Sequence, residues 1–212
     1  MHRALLLAIL ALFALAVGSA SPRAADPATW LVATSSGGVL VANDGIDLVS
    51  LHEGQEVRPG SRIRTLDDGR AVLRRGDDLI TLWPNSEIVI PPTQPEFGTR
   101  LMQTIGDALY KVTRGAAPHF EVDTPYLAAV VKGTTFAVSS DASGSAVRVV
   151  EGRVSVRNVG DGQASFVGAG QVGRVRAARG FGVQVEADDA ASGGNGNGHG
   201  SNANGRVGGG EP

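Results

Sequence analysis

The amino-acid sequence predicts an all-β fold: short strands in a solenoid-like stack or a twisted sandwich, followed by a disordered C-terminal tail. Three observations carry this expectation. Apolar residues recur with period two rather than 3.6 from about Ser35 to Val185. Turn-forming pairs interrupt those runs every 7 to 12 residues or so, the rhythm of an all-β domain. The 212 residues include 30 glycines and 10 prolines but only 5% aromatics, a composition that turns often.

The chain opens on what reads as an export signal, residues 1–20. Arg3 gives a weakly positive start, and Ala4 to Val17 is an unbroken apolar run of 14 residues. That is short of the roughly 20 needed to span a bilayer. Gly18-Ser19-Ala20 then supplies the small residues of a cleavage site. The expectation is a periplasmic or secreted protein with no membrane span after signal cleavage. Residues 21–34 read as a linker and 35–185 as the folded domain.

Within the domain, Val39 and Val41 alternate with smaller neighbours. Arg62 to Leu66, Ala71 to Arg74, Leu79 to Trp83 and Glu87 to Ile90 follow as strand-like runs, and so do Ala146 to Val149, Arg153 to Arg157, Gln171 to Val175 and Phe181 to Val185. Glu53-Gly54, Pro59-Gly60, Asp68-Gly69, Gly76-Asp77, Pro84-Asn85, Ser143-Gly144, Glu151-Gly152 and Asp161-Gly162 mark the corners between runs. Thr99 to Val112 is ambiguous. Leu101, Ile105, Leu109 and Val112 follow helical spacing, whereas Gly106 weakens a helix; strand and short helix both stay open. Residues 186–212 read as a Gly/Asn-rich disordered tail that holds nine of the 30 glycines. It has no aspartate from Ala190 onward for a calcium-binding repeat, and His199 stands alone.

Several functions are excluded. With no cysteine, disulfides, thiolate metal sites and a cysteine nucleophile are impossible. The net charge is -2 and lysine occurs only at 111 and 132, so no basic stripe marks a nucleic-acid binder. No G-x-S-x-G elbow, Walker loop or G-x-G-x-x-G is present. The histidines of the mature chain, His52, His119 and His199, have no partners at catalytic spacing. Asp67-Asp68 and Asp77-Asp78 flank turns, where aspartate caps backbone. Neighbours on a strand also face opposite ways. The chain therefore reads as a non-enzyme, with no catalytic residue, metal site or cofactor assigned.

The segment from Asp123 to Asn158, DTPYLAAVVKGTTFAVSSDASGSAVRVVEGRVSVRN, is the most informative. A Thr124-Pro125 step leads to a small apolar stretch, then Lys132-Gly133-Thr134, Phe136 and a strand. After a loop and a second strand, Glu151-Gly152 turns into a third. This closely resembles the core of the FecR domain family, and the upstream EGQEVRPGSRIRTLDDGRAVLRRGDDLITLWPNSEIVI resembles the family's first half. On the residues alone the motif is structural. Gly133 and Gly152 suit turns, Thr134 can bond local backbone, and Phe136 fills the core. Lys132 reads either as a solvated turn charge or as a partner contact. The resemblance implies a solenoid-like β domain. In the best-known members it lies in the periplasm and relays a signal from an outer-membrane receptor to a sigma factor, with a cytoplasmic anti-sigma segment and one membrane span. Neither the segment nor the span is seen here.

The leading expectation is a non-enzymatic exported domain that senses or binds a protein or glycan partner in the bacterial cell envelope, in signal relay. The alternative is a structural module of a surface or filament assembly, using exposed strand edges. A third reading, a hydrolase built on Asp67, Asp77 or Glu121, is the weakest.

Overall fold

The computed structural model describes residues 29–43, 48–92, 95, 98–178 and 182–189. The signal-peptide reading of 1–20, and the tail reading from residue 190 on, lie outside these residues. The described chain forms seventeen strands arranged in two open sheets packed face to face.

Sheet A runs, edge to edge, through β4 (Glu56–Val57), β1 (Trp30–Ser36), β6 (Arg70–Arg75), β7 (Asp78–Leu82), the second half of β9 (Thr99–Lys111), β12 (Thr135–Asp141), β13 (Gly144–Glu151), β16 (Gln171–Arg176) and β17 (Gln184–Ala187). Sheet B runs through β3 (Val49–Ser50), β2 (Val39–Asn43), β5 (Ser61–Thr65), β8 (Glu87–Val89), the first half of β9, β10 (Phe120–Asp123), β11 (Leu127–Val131), β14 (Arg153–Asn158) and β15 (Ala164–Gly168). Every pairing is antiparallel except β9 with β10. After β9 the hairpins alternate between layers: β10–β11 in sheet B, β12–β13 in A, β14–β15 in B and β16–β17 in A.

The period-two pattern places the core. In β5, Ser61, Ile63 and Thr65 are buried while Arg62 and Arg64 face out. In β14, Val154, Val156 and Asn158 are buried between exposed arginines and a half-buried serine. The inner faces form one hydrophobic cluster. Aromatic rings bridge the layers: Trp30 of sheet A meets Phe120 of sheet B edge-on at 6.5 Å, and Phe120 meets Tyr110 at 6.1 Å. Tyr110 stacks on Phe136 at 5.2 Å.

The ambiguous stretch from Thr99 is one 13-residue strand, so its helical spacing is incidental. Ile105, part of that spacing, is 47% exposed. β9 passes from sheet B to sheet A at Gly106, which has φ 87° and lies so close to Ser86 that a Cβ would sit 2.4 Å from its Cα. The bend is fastened from inside. The buried Gln103 amide donates to the carbonyls of Gly106 (2.8 Å) and Val138 (3.0 Å), and its oxygen accepts from the Tyr110 hydroxyl at 2.9 Å. Burial pushes that hydroxyl far above its ordinary pKa, so it stays a donor.

Two boundaries are corrected. Residues 30–34, assigned above to the linker, belong to β1, and Trp30 is fully buried. The body starts there because Trp30 and Val32 continue the period-two alternation and cover the far end of the core. At the other end β17 reaches Ala187 and Asp188 is buried, so 186–188 belong to the fold and not to the tail.

Candidate functional site

The motif residues fall at two ends of the domain. Thr124 is buried and staples the β10–β11 turn: its Oγ1 accepts from the N–H groups of Tyr126 (3.2 Å) and Leu127 (3.0 Å) and donates to the Leu127 carbonyl (3.1 Å). Pro125 is exposed beside it. The five residues of β11, roughly 16 Å of strand, separate this turn from the rest of the motif. At the other end the Lys132 side chain is exposed, and its carbonyl accepts from Gly115 N–H at 2.7 Å. Gly133 adopts φ 134° where the chain passes Arg114, whose Cα a Cβ would approach to 2.4 Å. Thr134 is buried, exchanges backbone hydrogen bonds with Val112 and donates from Oγ1 to the Arg153 carbonyl at 3.2 Å. Gly152 turns against Gly133 and Thr134. Phe136 is core. Gly133, Thr134 and Glu151 line a depression of about 570 Å³ at this end of sheet A, together with Asp77, Lys111 and Arg114.

That depression is the first of three along the outer face of sheet A. The next two, about 460 and 500 Å³, share Ser139, Ala146 and Arg174. The registers explain the trough. Leu109, Ala137 and Arg148 lie in one cross-strand row, and Asp107, Ser139, Ala146 and Arg174 in the next. Short side chains on β12 and β13 leave a low floor. Trp83, Arg148, Arg174 and Arg176 rise around it. Two of these arginines are engaged by the last strand: Arg174 by Glu186 at 2.6 Å and Arg148 by Asp188 at 3.1 Å.

The carboxylates singled out for hydrolysis do not meet. Asp67 and Asp77 sit at opposite ends of the six-residue β6, roughly 20 Å apart. Asp68 caps Gly38 N–H (2.9 Å) and Asp78 caps Thr113 N–H (2.8 Å) while pairing with Arg75. Glu121 lies on the outer face of the other sheet, B. No group of three or more His, Cys, Asp or Glu placed to hold a metal occurs among the described residues.

Glu121 is nevertheless perturbed. Partial burial raises its pKa, Asp123 adds to the rise, and Arg100 and Arg157 oppose it. A carboxyl whose folded pKa is raised binds protons more readily in the native state, so its charge costs stability at neutral pH and the cost fades as pH falls through the raised value. Glu121→Gln is expected to raise Tm at pH 7 by about 1–2 °C after allowing for solvent screening. The gain should disappear in melts near pH 3.

A model of the FecR protein family matches residues 61–155. Those residues are similar to a FecR domain. The match runs from the start of β5 into β14, is centred on the crossing strand β9 and leaves out β1–β4 and β15–β17. Two crystal structures of a "putative anti-sigma factor from Parabacteroides distasonis ATCC 8503" share the fold, each with TM-score 0.53 at 20% identity. The likeness covers 61% of this chain and spans 60% of that one. No curated protein matches the sequence.

The FecR motif was visible in the sequence, but the trough was not. Arg148 and Arg174 each sit between buried neighbours as ordinary outward residues of alternating strands. Only the pairing of Ala146 with Arg174, and of Arg148 with Val172, brings them together.

Proposed function

We propose that the chain is an exported, non-enzymatic FecR module that binds a protein or glycan of the cell envelope in a signal relay, through the outer face of sheet A. One observation carries the reading. The motif residues Thr124, Gly133, Thr134, Phe136 and Gly152 are spent on turns, backbone bonds and core, whereas the arginine-rimmed trough is a recessed surface with exposed side chains to meet a partner. The fold shared with the protein described as an anti-sigma factor supports a regulatory setting. Exposed Glu151 borders the same trough.

Capture from envelope extracts tests the face. Ala137→Arg plants a long cation on the trough floor without touching the core, and is expected to abolish capture of whatever the unaltered chain retains. Equal capture by both would overturn the assignment. Export is tested by sequencing the N-terminus of the cell-made protein, expected at Ser21; retention of Met1 would overturn it.

The assembly reading is favoured by one feature. Phe166, on edge strand β15, is 68% exposed, with the Arg153 guanidinium 5.8 Å from its ring centroid. Self-association in sedimentation that Phe166→Ser removes would select that reading instead.

A further inference from the structure

Strand β17 is lightly held. It is four residues long, exposed at every position and paired only with β16, the profile of a segment that opens below the global unfolding free energy. Side chains make up for little of this. Val183 packs against the core. At the start of the segment the Gly182 N–H donates to Asp161 at 2.6 Å, and the Gly182 carbonyl accepts from Asn158 at 3.1 Å. Further ties are the solvent-exposed pair Glu186–Arg174, the pair of buried Asp188 with Arg148, and the Asp188 N–H, which donates to the Gly170 carbonyl at 2.8 Å; an ion pair open to solvent, as Glu186–Arg174 is, adds little.

The chemistry of this occupant describes what the site accepts. Glu186 and Asp188 are two residues apart on one face of an extended chain, set against guanidinia on neighbouring strands β16 and β13. Glu186 pairs across from Val172 yet reaches Arg174, two residues along. By the same offset the residue opposite Arg174, which is Gln184, stands where a carboxylate would reach Arg176. Arg176 is exposed, makes no ion pair among the described residues and lines the adjoining depression. The resident strand therefore satisfies two of three aligned arginines and offers an amide side chain where the third wants an acid.

We propose that residues 182–189 are a placeholder. The edge of β16 is a strand-exchange site for an extended protein segment with carboxylates at three alternate positions, which displaces β17 and takes all of Arg148, Arg174 and Arg176. The edge strand β16 and its occupant β17 lie beyond residues 61–155, whereas Arg148 lies within them. Backbone pairing at a sheet edge supplies affinity and the alternate side chains supply selection. This exchange rests on the binding role proposed above and names the chemistry of its partner.

The probe is a labelled octapeptide, Gly-Val-Glu-Val-Glu-Ala-Asp-Asp, titrated against the full chain by fluorescence anisotropy. A copy of residues 182–189 and an all-amide analogue serve as controls. The octapeptide with glutamate at its third position is expected to bind at least tenfold tighter than the copy, and the analogue not at all. Arg176→Gln should erase the tenfold advantage. Glu186→Gln with Asp188→Asn, which loosens the placeholder, should tighten binding of the glutamate-substituted octapeptide about tenfold or more. Equal binding of acidic and amide peptides, or no binding to either chain, would overturn strand exchange. Hydrogen exchange on the unaltered chain gives a second measurement: amides of 184–187 should exchange far faster than those of β12, and equal protection would also overturn it. Failure here leaves the capture experiment untouched, because that one is read on Ala137.

Discussion

Replacing Gly106 with alanine is expected to cost about 3 kcal/mol or more, read as a lower urea midpoint with unchanged slope. Two terms add. A side chain at φ 87° is strained, and the new Cβ would press into the Ser86 backbone at 2.4 Å, where nothing flexible can yield. The damage would spread, because Gly106 is where β9 changes sheets and where Gln103 fastens the bend. Gly76→Ala separates the terms. Gly76 has φ 58° but nothing within 4 Å of a Cβ, so it should cost only about 1 kcal/mol. Equal losses at the two positions would mean that strain alone, and not the crossing, makes Gly106 necessary.

Trp30→Ala is expected to cost about 3–5 kcal/mol, a large fraction of the stability of an ordinary domain. Trp30 is fully buried, meets Phe120 edge-on and carries the Arg75 guanidinium 4.4 Å above its ring. Arg75 is positioned in turn by Asp78 and Thr99, so the indole links three strands. Trp30→Phe should cost much less. It keeps an aromatic surface against Phe120 and removes an indole N–H that has no hydrogen-bond partner among the described residues. Thermal melts of the two variants decide the matter; no change in either would return residues 30–34 to a linker.

Much of the fold was legible because alternation reports burial directly. Ile63, Val147, Val149, Val154 and Val156 are buried as their spacing demands. Where two periodicities coincided, local pattern failed. Leu101 and Leu109 satisfy both a helix and a strand that crosses between layers, and only tertiary pairing with β8, β10, β7 and β12 chooses the strand. Trp30 was missed because two residues of alternation ahead of Ser35 are too few to distinguish from a linker. The trough was illegible for a different reason. It is a property of register, and register between β13 and β16 is set some 20 residues apart in the chain by the burial of Val147 and Val175, not by the arginines that it aligns.

In neither sheet does a later strand insert between two that precede it. From β3 to β17, every new strand is laid on an existing edge, first β3 on β2 and β4 on β1, next β5 and β6 on the opposite edges, then outward past β9 to β15 and β17. A chain that emerges N-terminus first can therefore assemble in the order of its synthesis, each hairpin templated by the last and no earlier pairing broken. Fragments that stop after β9 should already hold a templating edge in both layers, whereas fragments that begin after it would have to find each other with no seam to grow from.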